Sequence, residues 1–265
     1  MNKYLAVAKI HFKMQLAYRF DAAMTVMGVV WRVVFAWVLW GAIFAGREDV
    51  GGFTFQAMLS YYVISSFLAT ADTSQGTVYE ISSRVRDGSF TKFMVVPSNP
   101  QFHFLSQAVG ASGFYGLVAA LAVAVCAFAF RIDMALAVDP AAVLLAAALF
   151  AVGIVFMNCY HFFLGILAFK FEDSTFAIHM LPSVVSFFKG EMVPLSLLPV
   201  ALEQSLRFFP FAHAVYTPAM LLMGAMDASE GLPDLFVLAA WTLAMAAGSQ
   251  LAYSRLRKRH EGVGI

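Results

Sequence analysis

Residues 140–169 read PAAVLLAAALFAVGIVFMNCYHFFLGILAF and contain no charged side chain. A helix needs about 20 apolar residues to cross the hydrocarbon core of a bilayer, and this run is longer than that. Apolar residues make up 61% of the whole chain and charged residues 12%. Soluble domains have roughly 45–50% and about 25%. The composition therefore excludes an ordinary soluble fold and predicts an all-α polytopic membrane protein.

The same length criterion predicts six transmembrane helices, of which one is short. They are residues 22–45, 53–78, 102–130, 140–169, the shorter run 174–188, and 235–254. Before the last of them, the apolar segment 189–226 contains four prolines, and proline breaks a helical ladder. This segment is predicted to be either a broken or re-entrant pair of short helices or a seventh crossing near residues 208–226.

The basic residues predict the orientation, because Lys and Arg accumulate on the cytoplasmic side of membrane proteins. Both ends of the chain are basic, so both are predicted to be cytoplasmic, which requires an even number of crossings. With six crossings, the cytoplasmic set is Lys3, Lys9, Lys13, Arg19, Arg84, Arg86, Lys92, Lys170, Arg255, Arg257, Lys258 and Arg259. The outer set is only Arg47, Arg131, Lys189 and Arg207.

Residues 1–20 show helical spacing but carry too many charges to cross a bilayer. Val7, Ile10, Met14 and Ala17 recur at that spacing, which favours a helix that lies in the inner membrane interface. A short polar lead-in to the first span is the alternative.

The loop 79–100, between the second and third predicted spans, reads YEISSRVRDGSFTKFMVVPSNP. Residues 80–87 can form two helical turns, with Gly88 as the helix stop. Such a polar helix suits a cytosolic partner, although a simple solvated loop has the same composition.

Three features of the chain together resemble the type-2 ATP-binding-cassette export permeases. The first is Arg86-x-Gly88-x-Phe90 followed by an apolar stretch and Pro97, which resembles their cytoplasmic coupling helix. The second is segment 189–224, which resembles their broken extracellular hairpin through Gly190, Pro194, Pro199, Phe209, Pro210 and Gly224. The third is the stretch PFAHAVYTPAMLLMG with the tail 253–264, which is similar to a short six-span branch long described as a family of unknown function.

The resemblance implies a permease subunit of an exporter in a bacterial cytoplasmic membrane. Such a subunit pairs with a second copy or a paralogue, and each of the two binds one ATPase subunit through its coupling helix, so that the transporter contains two ATPase subunits. The residues carried over to coupling are Glu80, Arg84, Arg86, Asp87, Gly88 and Phe90, with the charges orienting the partner and Phe90 anchoring it. Those carried over to the extracellular hairpin are Gly190, Glu191, Pro194, Pro199 and Pro210.

The chain has no GxxxxGK[ST] phosphate-binding sequence, so ATP and Mg²⁺ are expected in a partner and no cofactor in this chain. We therefore expect a transporter subunit rather than an enzyme. Its expected cargo is hydrophobic or amphipathic, such as a drug, lipid or natural product. Membrane lipids are expected around it, and a net charge of +1 gives no reason to expect nucleic acid binding.

Two residues that are charged at neutral pH lie inside predicted spans, where a charge costs at least about 2.5–3.5 kcal/mol unless it is paired or hydrated. Arg32 is near the middle of the first span, and Asp72 is in the inner part of the second. Because these spans are antiparallel neighbours, we predict an Arg32–Asp72 ion pair. Separate contacts of each residue with interfacial water or a cavity are the alternative.

Two other functions are compatible with parts of the sequence. Gly110-Ala111-Ser112-Gly113 matches the GxSG sequence of intramembrane serine proteases, for which His161, His179 or His213 is a nominal base. An ion-driven secondary transporter is the other, although such folds usually contain internal repeats and several buried acids. The lone histidines and two separated cysteines lack metal-ligand spacing, so no metal site is predicted.

Overall fold

The computed structural model describes residues 2–96, 98–134, 136, 139–171 and 180–260. The α-helices are α1 (Asn2–Ala17), α2 (Arg19–Ile43), α3 (Phe55–Ala71), α4 (Gly76–Arg86), α5 (Thr91–Val95), α6 (Pro100–Ala129), α7 (Pro140–Ile166), α8 (Leu181–Phe188), α9 (Val200–Phe208), α10 (Ala212–Leu222) and α11 (Ala228–His260). Short 3-10 turns cover Leu167–Phe169 and Leu195–Leu197. Within these ranges the β structure is one isolated bridge, Val50 to Phe53, so the all-α prediction is confirmed there.

Four helical segments of the described residues are long and apolar enough to cross a membrane. They are Phe20–Ile43, Pro100–Ala129, Pro140–Phe169 and Ala228–Arg257. Each coincides with one of the six predicted spans. The chain is therefore a polytopic membrane protein.

The other two predicted spans do not form single long helices among the described residues. In the span predicted at 53–78, α3 ends at Ala71, Asp72 adopts an extended backbone, and α4 begins again at Gly76. The side chain of Asp72 accepts a hydrogen bond from the Ser74 N–H at 3.0 Å, a local bond that competes with the helical ladder. In the span predicted at 174–188, residues 172–179 lie outside the described residues, and the remainder forms α8. Six crossings therefore stays a prediction.

Side-chain caps determine where three of the long helices begin. Thr54 accepts a hydrogen bond from the Ala57 N–H at the start of α3. Asn99 and Asp139 cap α6 and α7 in the same way, and each is followed by a proline at the first helical position. Proline suits that position because its missing N–H would have no helical partner there.

Helix α7 lies at the centre of the bundle, where it packs against α4, α10 and α11. Two glycines permit close approach. A Cβ on Gly153 would lie 3.2 Å from the Ala214 Cα in α10, and one on Gly165 would lie 2.8 Å from the Ile81 Cβ in α4. Small residues at such contacts are typical of membrane helices, because there the packing comes from close backbone approach.

Helix α1 packs alongside the first half of α6 and runs in the same direction. The Tyr4 ring contacts Phe102, and the Phe12 ring contacts Phe114 farther along α6. Between them, a Cβ on Gly110 would lie 2.2 Å from the Ala8 carbonyl oxygen. The predicted N-terminal helix is therefore present as α1, whereas its position in a membrane interface stays a prediction.

Segment 189–226 is broken, as its prolines predict. After the 3-10 turn Leu195–Leu197 come α9 and α10, and the breaks lie at Pro194, Pro199 and Pro210. Helix α10 has 11 residues and is buried along almost its whole length. It is too short to cross a bilayer alone, which requires about 20 residues, so the segment forms short helices rather than a seventh continuous span.

Candidate functional site

The loop between α4 and α6 forms a defined helix stop followed by one more short helix. Gly88 has φ +75°, a left-handed conformation that glycine adopts without strain, and this confirms the predicted stop. The Phe90 N–H donates to the Arg84 carbonyl at 2.9 Å, which satisfies a carbonyl at the end of α4. Arg84 and Arg86 lie in the last turn, where positive charge interacts favourably with the helix dipole.

The charges of this loop differ in accessibility. Arg86 and Asp87 are exposed, whereas Arg84 is partly buried and donates to Glu80 Oε1 from Nη2 at 2.7 Å. Hydrogen bonds from the Ser89 hydroxyl and backbone N–H lower the pKa of Asp87. Asp87 therefore keeps its negative charge at neutral pH, beside the positive charge of Arg86.

Phe90, which was predicted to anchor the partner, is only 1% exposed, so its side chain is not available for a surface contact in this structure. Its ring packs against Phe93, Phe104, Phe169 and Tyr253. These contacts join the loop to α6, to the end of α7 and to α11. A local sequence pattern does not show which side of a short turn packs against the bundle. In this loop, the side that carries Phe90 packs against it.

The exposed apolar side chains of the loop are instead Val95 and Val96. Val95 is 84% exposed and Val96 is 54% exposed. Both lie at the end of α5, a few residues from Arg86 in sequence. Sequence reasoning treated them only as part of an apolar stretch before the next span.

The structure gives Asp72 a different partner from the one predicted. The Lys189 Nζ lies 3.7 Å from Asp72 Oδ2 and 2.6 Å from Glu191 Oε1, and all three side chains are largely buried. Arg32 is exposed on α2 and forms no salt bridge with the described residues. The predicted Arg32–Asp72 ion pair is therefore wrong, because the turn after α8 brings a lysine to the break between α3 and α4.

The break at residues 72–75 is surrounded by polar side chains from other helices. The Thr73 N–H donates to Ser112 Oγ at 3.2 Å, and the Thr73 hydroxyl donates to the Ala108 carbonyl at 3.1 Å. Ser74 Oγ lies 3.1 Å from His161 Nδ1. These contacts satisfy polar groups that the interrupted helix leaves free inside the bundle.

The same contacts count against the protease interpretation of Ser112. Its hydroxyl lies 3.0 Å from the Thr73 hydroxyl, and His161 contacts Ser74 instead. His213 contacts Thr217 and Arg207. His179 lies outside the described residues. A nucleophilic serine requires a base within hydrogen-bond distance, and neither described candidate histidine supplies one to Ser112.

Two tyrosines of α3 hold the turn that carries Lys189 and Glu191. The Tyr61 hydroxyl donates to the Gly190 carbonyl at 2.6 Å, and the Tyr62 hydroxyl donates to the Met192 carbonyl. Gly190 has φ +75°, and a Cβ there would lie 2.9 Å from the Tyr61 hydroxyl oxygen. The turn therefore requires glycine at position 190 for both conformation and space.

A second buried polar cluster joins the broken segment to α11. The Thr217 hydroxyl donates to Asp234 Oδ2 at 2.8 Å, and His213 Nδ1 lies 3.3 Å from the same oxygen. His213 Nε2–H donates to the Arg207 carbonyl at 2.8 Å. Sequence reasoning missed Asp234, although an acid just after Pro233 at the start of an apolar helix was a visible signal.

A cavity of about 560 Å³ lies between α2, α3, α8 and the turn after Glu191. This volume is within the range of roughly 300–1,000 Å³ that is usual for small-molecule sites. Its lining residues are Arg32, Phe35, Leu39, Tyr62, Ser65, Ser66, Ala69, Ser183, Ser186, Glu191, Met192 and Val193. The cavity thus combines apolar walls with hydroxyl groups and two opposite formal charges.

The family model described as ABC-2 family transporter protein matches residues 30–264. The chain belongs to this family. The matched range of this ABC-2 transporter chain contains the cavity, the break at 72–75, the loop after α4 and the broken segment, and it begins after α1. No curated protein matches the chain.

Proposed function

We propose that this ABC-2 family chain is the permease subunit of an ATP-driven exporter in a bacterial cytoplasmic membrane. Two ATPase subunits and a second permease, either another copy or a paralogue, complete the transporter. The observation that carries the proposal is the match to the ABC-2 family over residues 30–264. The lack of a GxxxxGK[ST] sequence in the chain supports a separate ATPase that binds ATP and Mg²⁺.

The ATPase contacts the loop that follows α4. Arg86 and Asp87 are exposed there and orient the partner through charge, and Val95 and Val96 supply an apolar contact. Phe90 acts from the inner side of the loop by holding it against the bundle. Glu80 and Arg84 stiffen α4 through their salt bridge.

Movement of α4 is transmitted to the broken segment through residues 72–75. Helix α4 begins at Gly76, directly after this break, and Asp72 contacts Lys189 on the other side of it. ATP binding closes the ATPase dimer and displaces α4, and the buried contacts of Asp72 and Tyr61 pull on the turn at 189–192. A break between two helices is a suitable hinge, because a few residues absorb the change in backbone angles.

The cargo is hydrophobic or amphipathic. The cavity of about 560 Å³ supports this class, because its walls include Phe35, Leu39 and Val193 as well as hydroxyl groups. Both chain termini lie in the cytoplasm, in agreement with the basic residues at the two ends.

Charge reversal at the exposed loop tests the ATPase contact. The permease is co-expressed with a candidate ATPase subunit from the same genome, and the complex is purified through a tag on the permease. Arg86→Glu with Asp87→Arg is expected to lower the recovered ATPase at least about tenfold, because the orienting charges are inverted. Arg47→Glu with Glu48→Arg, on exposed residues outside the loop, is the matched control. Equal recovery from both double variants would contradict the proposed contact.

Labelling with a membrane-impermeant maleimide tests the orientation. The buried cysteines Cys126 and Cys159 are replaced with serine, and single cysteines are introduced at Ser89 and at Glu48. Ser89→Cys is expected to react only in inside-out vesicles and Glu48→Cys only in right-side-out vesicles. The opposite pattern would overturn the proposed topology and with it the docking loop.

A further inference from the structure

Arg32 and Glu191 place opposite charges at the same cavity. Arg32 lies near the middle of the membrane-length segment Phe20–Ile43 and has no salt bridge with the described residues. A charged group at that depth is costly unless something compensates it. We therefore expect a ligand in this cavity to place an anionic group beside Arg32.

The part of the cavity lining that contains Glu191 has excess negative charge. Lys189 is one cation that faces two carboxylates, Asp72 and Glu191. When all three groups are ionised, this cluster retains one negative charge. Glu191 lines the cavity, whereas Lys189 and Asp72 are not among its lining residues. We therefore expect a ligand in this cavity to place a cationic group beside Glu191.

We infer that the cavity binds an amphiphile whose head carries both an anionic and a cationic group. The anionic group lies against Arg32, the cationic group lies against Glu191, and the apolar body lies along Phe35 and Leu39. This inference rests on the proposed transport function and specifies the class of its cargo. The proposed transport function requires only a hydrophobic or amphipathic cargo. The charges of Arg32 and Glu191 add a preference for a particular class of amphipathic molecule.

A zwitterion fits this arrangement better than a simple anion or cation. An amphipathic anion would compensate Arg32 but would be repelled by the cluster at Glu191. An amphipathic cation would be attracted to Glu191 but repelled by Arg32. Discrimination by charge repulsion is an effective source of specificity, because placing like charges next to each other disfavours the wrong ligand.

Binding of a matched ligand series to the purified permease tests the inference. The permease is placed in nanodiscs of phosphatidylglycerol without ATPase or nucleotide, and empty nanodiscs correct for partitioning. The probes share an eight-carbon chain: octylphosphocholine, octyl phosphate, octyltrimethylammonium and octyl glucoside. Octylphosphocholine is expected to bind at least about tenfold more tightly than the other three.

Single substitutions then assign the charges. Arg32→Gln is expected to weaken octylphosphocholine binding about tenfold and to favour octyltrimethylammonium over octyl phosphate. Glu191→Gln is expected to reverse that last preference. Arg47→Gln and Glu48→Gln, on exposed residues that do not line the cavity, should leave all four affinities unchanged. If Glu191→Gln does not fold because Lys189 loses a partner, Arg32→Gln alone decides.

The source of the ligand is separated by changing the bilayer. If phosphatidylcholine nanodiscs weaken octylphosphocholine binding by competition, a bilayer lipid is the natural occupant, and if they do not, a free amphiphile is. The inference is overturned if octyl phosphate, octyltrimethylammonium or octyl glucoside binds as tightly as octylphosphocholine, or if Arg32→Gln changes no preference. Because the measurement uses no ATPase, its failure is independent of the charge-reversal test at Arg86.

Discussion

Lys189 lies between two carboxylates inside the bundle, and its replacement by methionine tests the structural argument most directly. Its Nζ is 3.7 Å from Asp72 and 2.6 Å from Glu191, and its side chain is 8% exposed. Removing the shared cation leaves two buried carboxylates without their partner. Breaking a buried ion pair in this way costs about 3–5 kcal/mol.

The expected result is a large loss of stability in Lys189→Met. A cost of about 3–5 kcal/mol corresponds to a fall of roughly 6–20 °C in the unfolding midpoint of a chain of this size. The midpoint is measured in a single detergent by the loss of tryptophan fluorescence. Adding Asp72→Asn and Glu191→Gln to Lys189→Met should recover most of the loss, because the uncompensated charges are then gone.

Arg32→Gln is the matched control for this experiment. Arg32 is the cation in an apolar span that was predicted to pair with Asp72, but it has no salt bridge with the described residues. Its replacement should leave the midpoint unchanged or slightly raised. The reasoning is refuted if Arg32→Gln destabilises as much as Lys189→Met, or if Lys189→Met costs less than about 1 kcal/mol.

Three further predictions concern packing and the loop after α4. Gly110→Ala should cost about 1–3 kcal/mol in thermal unfolding, because its Cβ would lie 2.2 Å from the Ala8 carbonyl oxygen, whereas Gly248→Ala, with nothing within 4 Å, should be neutral. Phe90→Ala should cost about 3–5 kcal/mol because the ring is buried, and an unchanged midpoint would contradict its packing role. Val95→Asp should leave the midpoint within about 0.5 kcal/mol but reduce co-purified ATPase, and full recovery would argue against an apolar contact there.

The loop after α4 shows how far local sequence information extends. Gly88 was predicted to end the helix, and its φ of +75° confirms this, because the left-handed conformation depends mainly on one residue. Phe90, two residues later, was predicted to anchor a partner, and its side chain is buried in the bundle. Its burial depends on Phe104 and Tyr253, which are distant in sequence, and no local pattern contains that information.

The charged residues at the cavity show the same difference between what the sequence predicts and what depends on tertiary packing. Arg32 and Asp72 were recognisable from the sequence as ionisable residues in apolar runs, because their cost in hydrocarbon depends only on residue type and depth. Their partners were not recognisable. Lys189 follows α8 in a turn that the sequence placed in an outer loop, and tertiary packing brings it to the break after Ala71.

The sequence by itself determined that the chain crosses a membrane, where its longest helices lie, where prolines interrupt segment 189–226, and which family it resembles. The crossing and the helix positions follow from the thickness of the hydrocarbon core, and the interruptions follow from the missing N–H of proline. Both effects depend on residues that are neighbours in the sequence. Only the tertiary structure decided that Lys189 pairs with Asp72 and that Arg32 and Glu191 line one cavity. Charged residues pair with the oppositely charged residues that lie closest in space. Those distances are set by the packing of helices whose residues are far apart in the sequence.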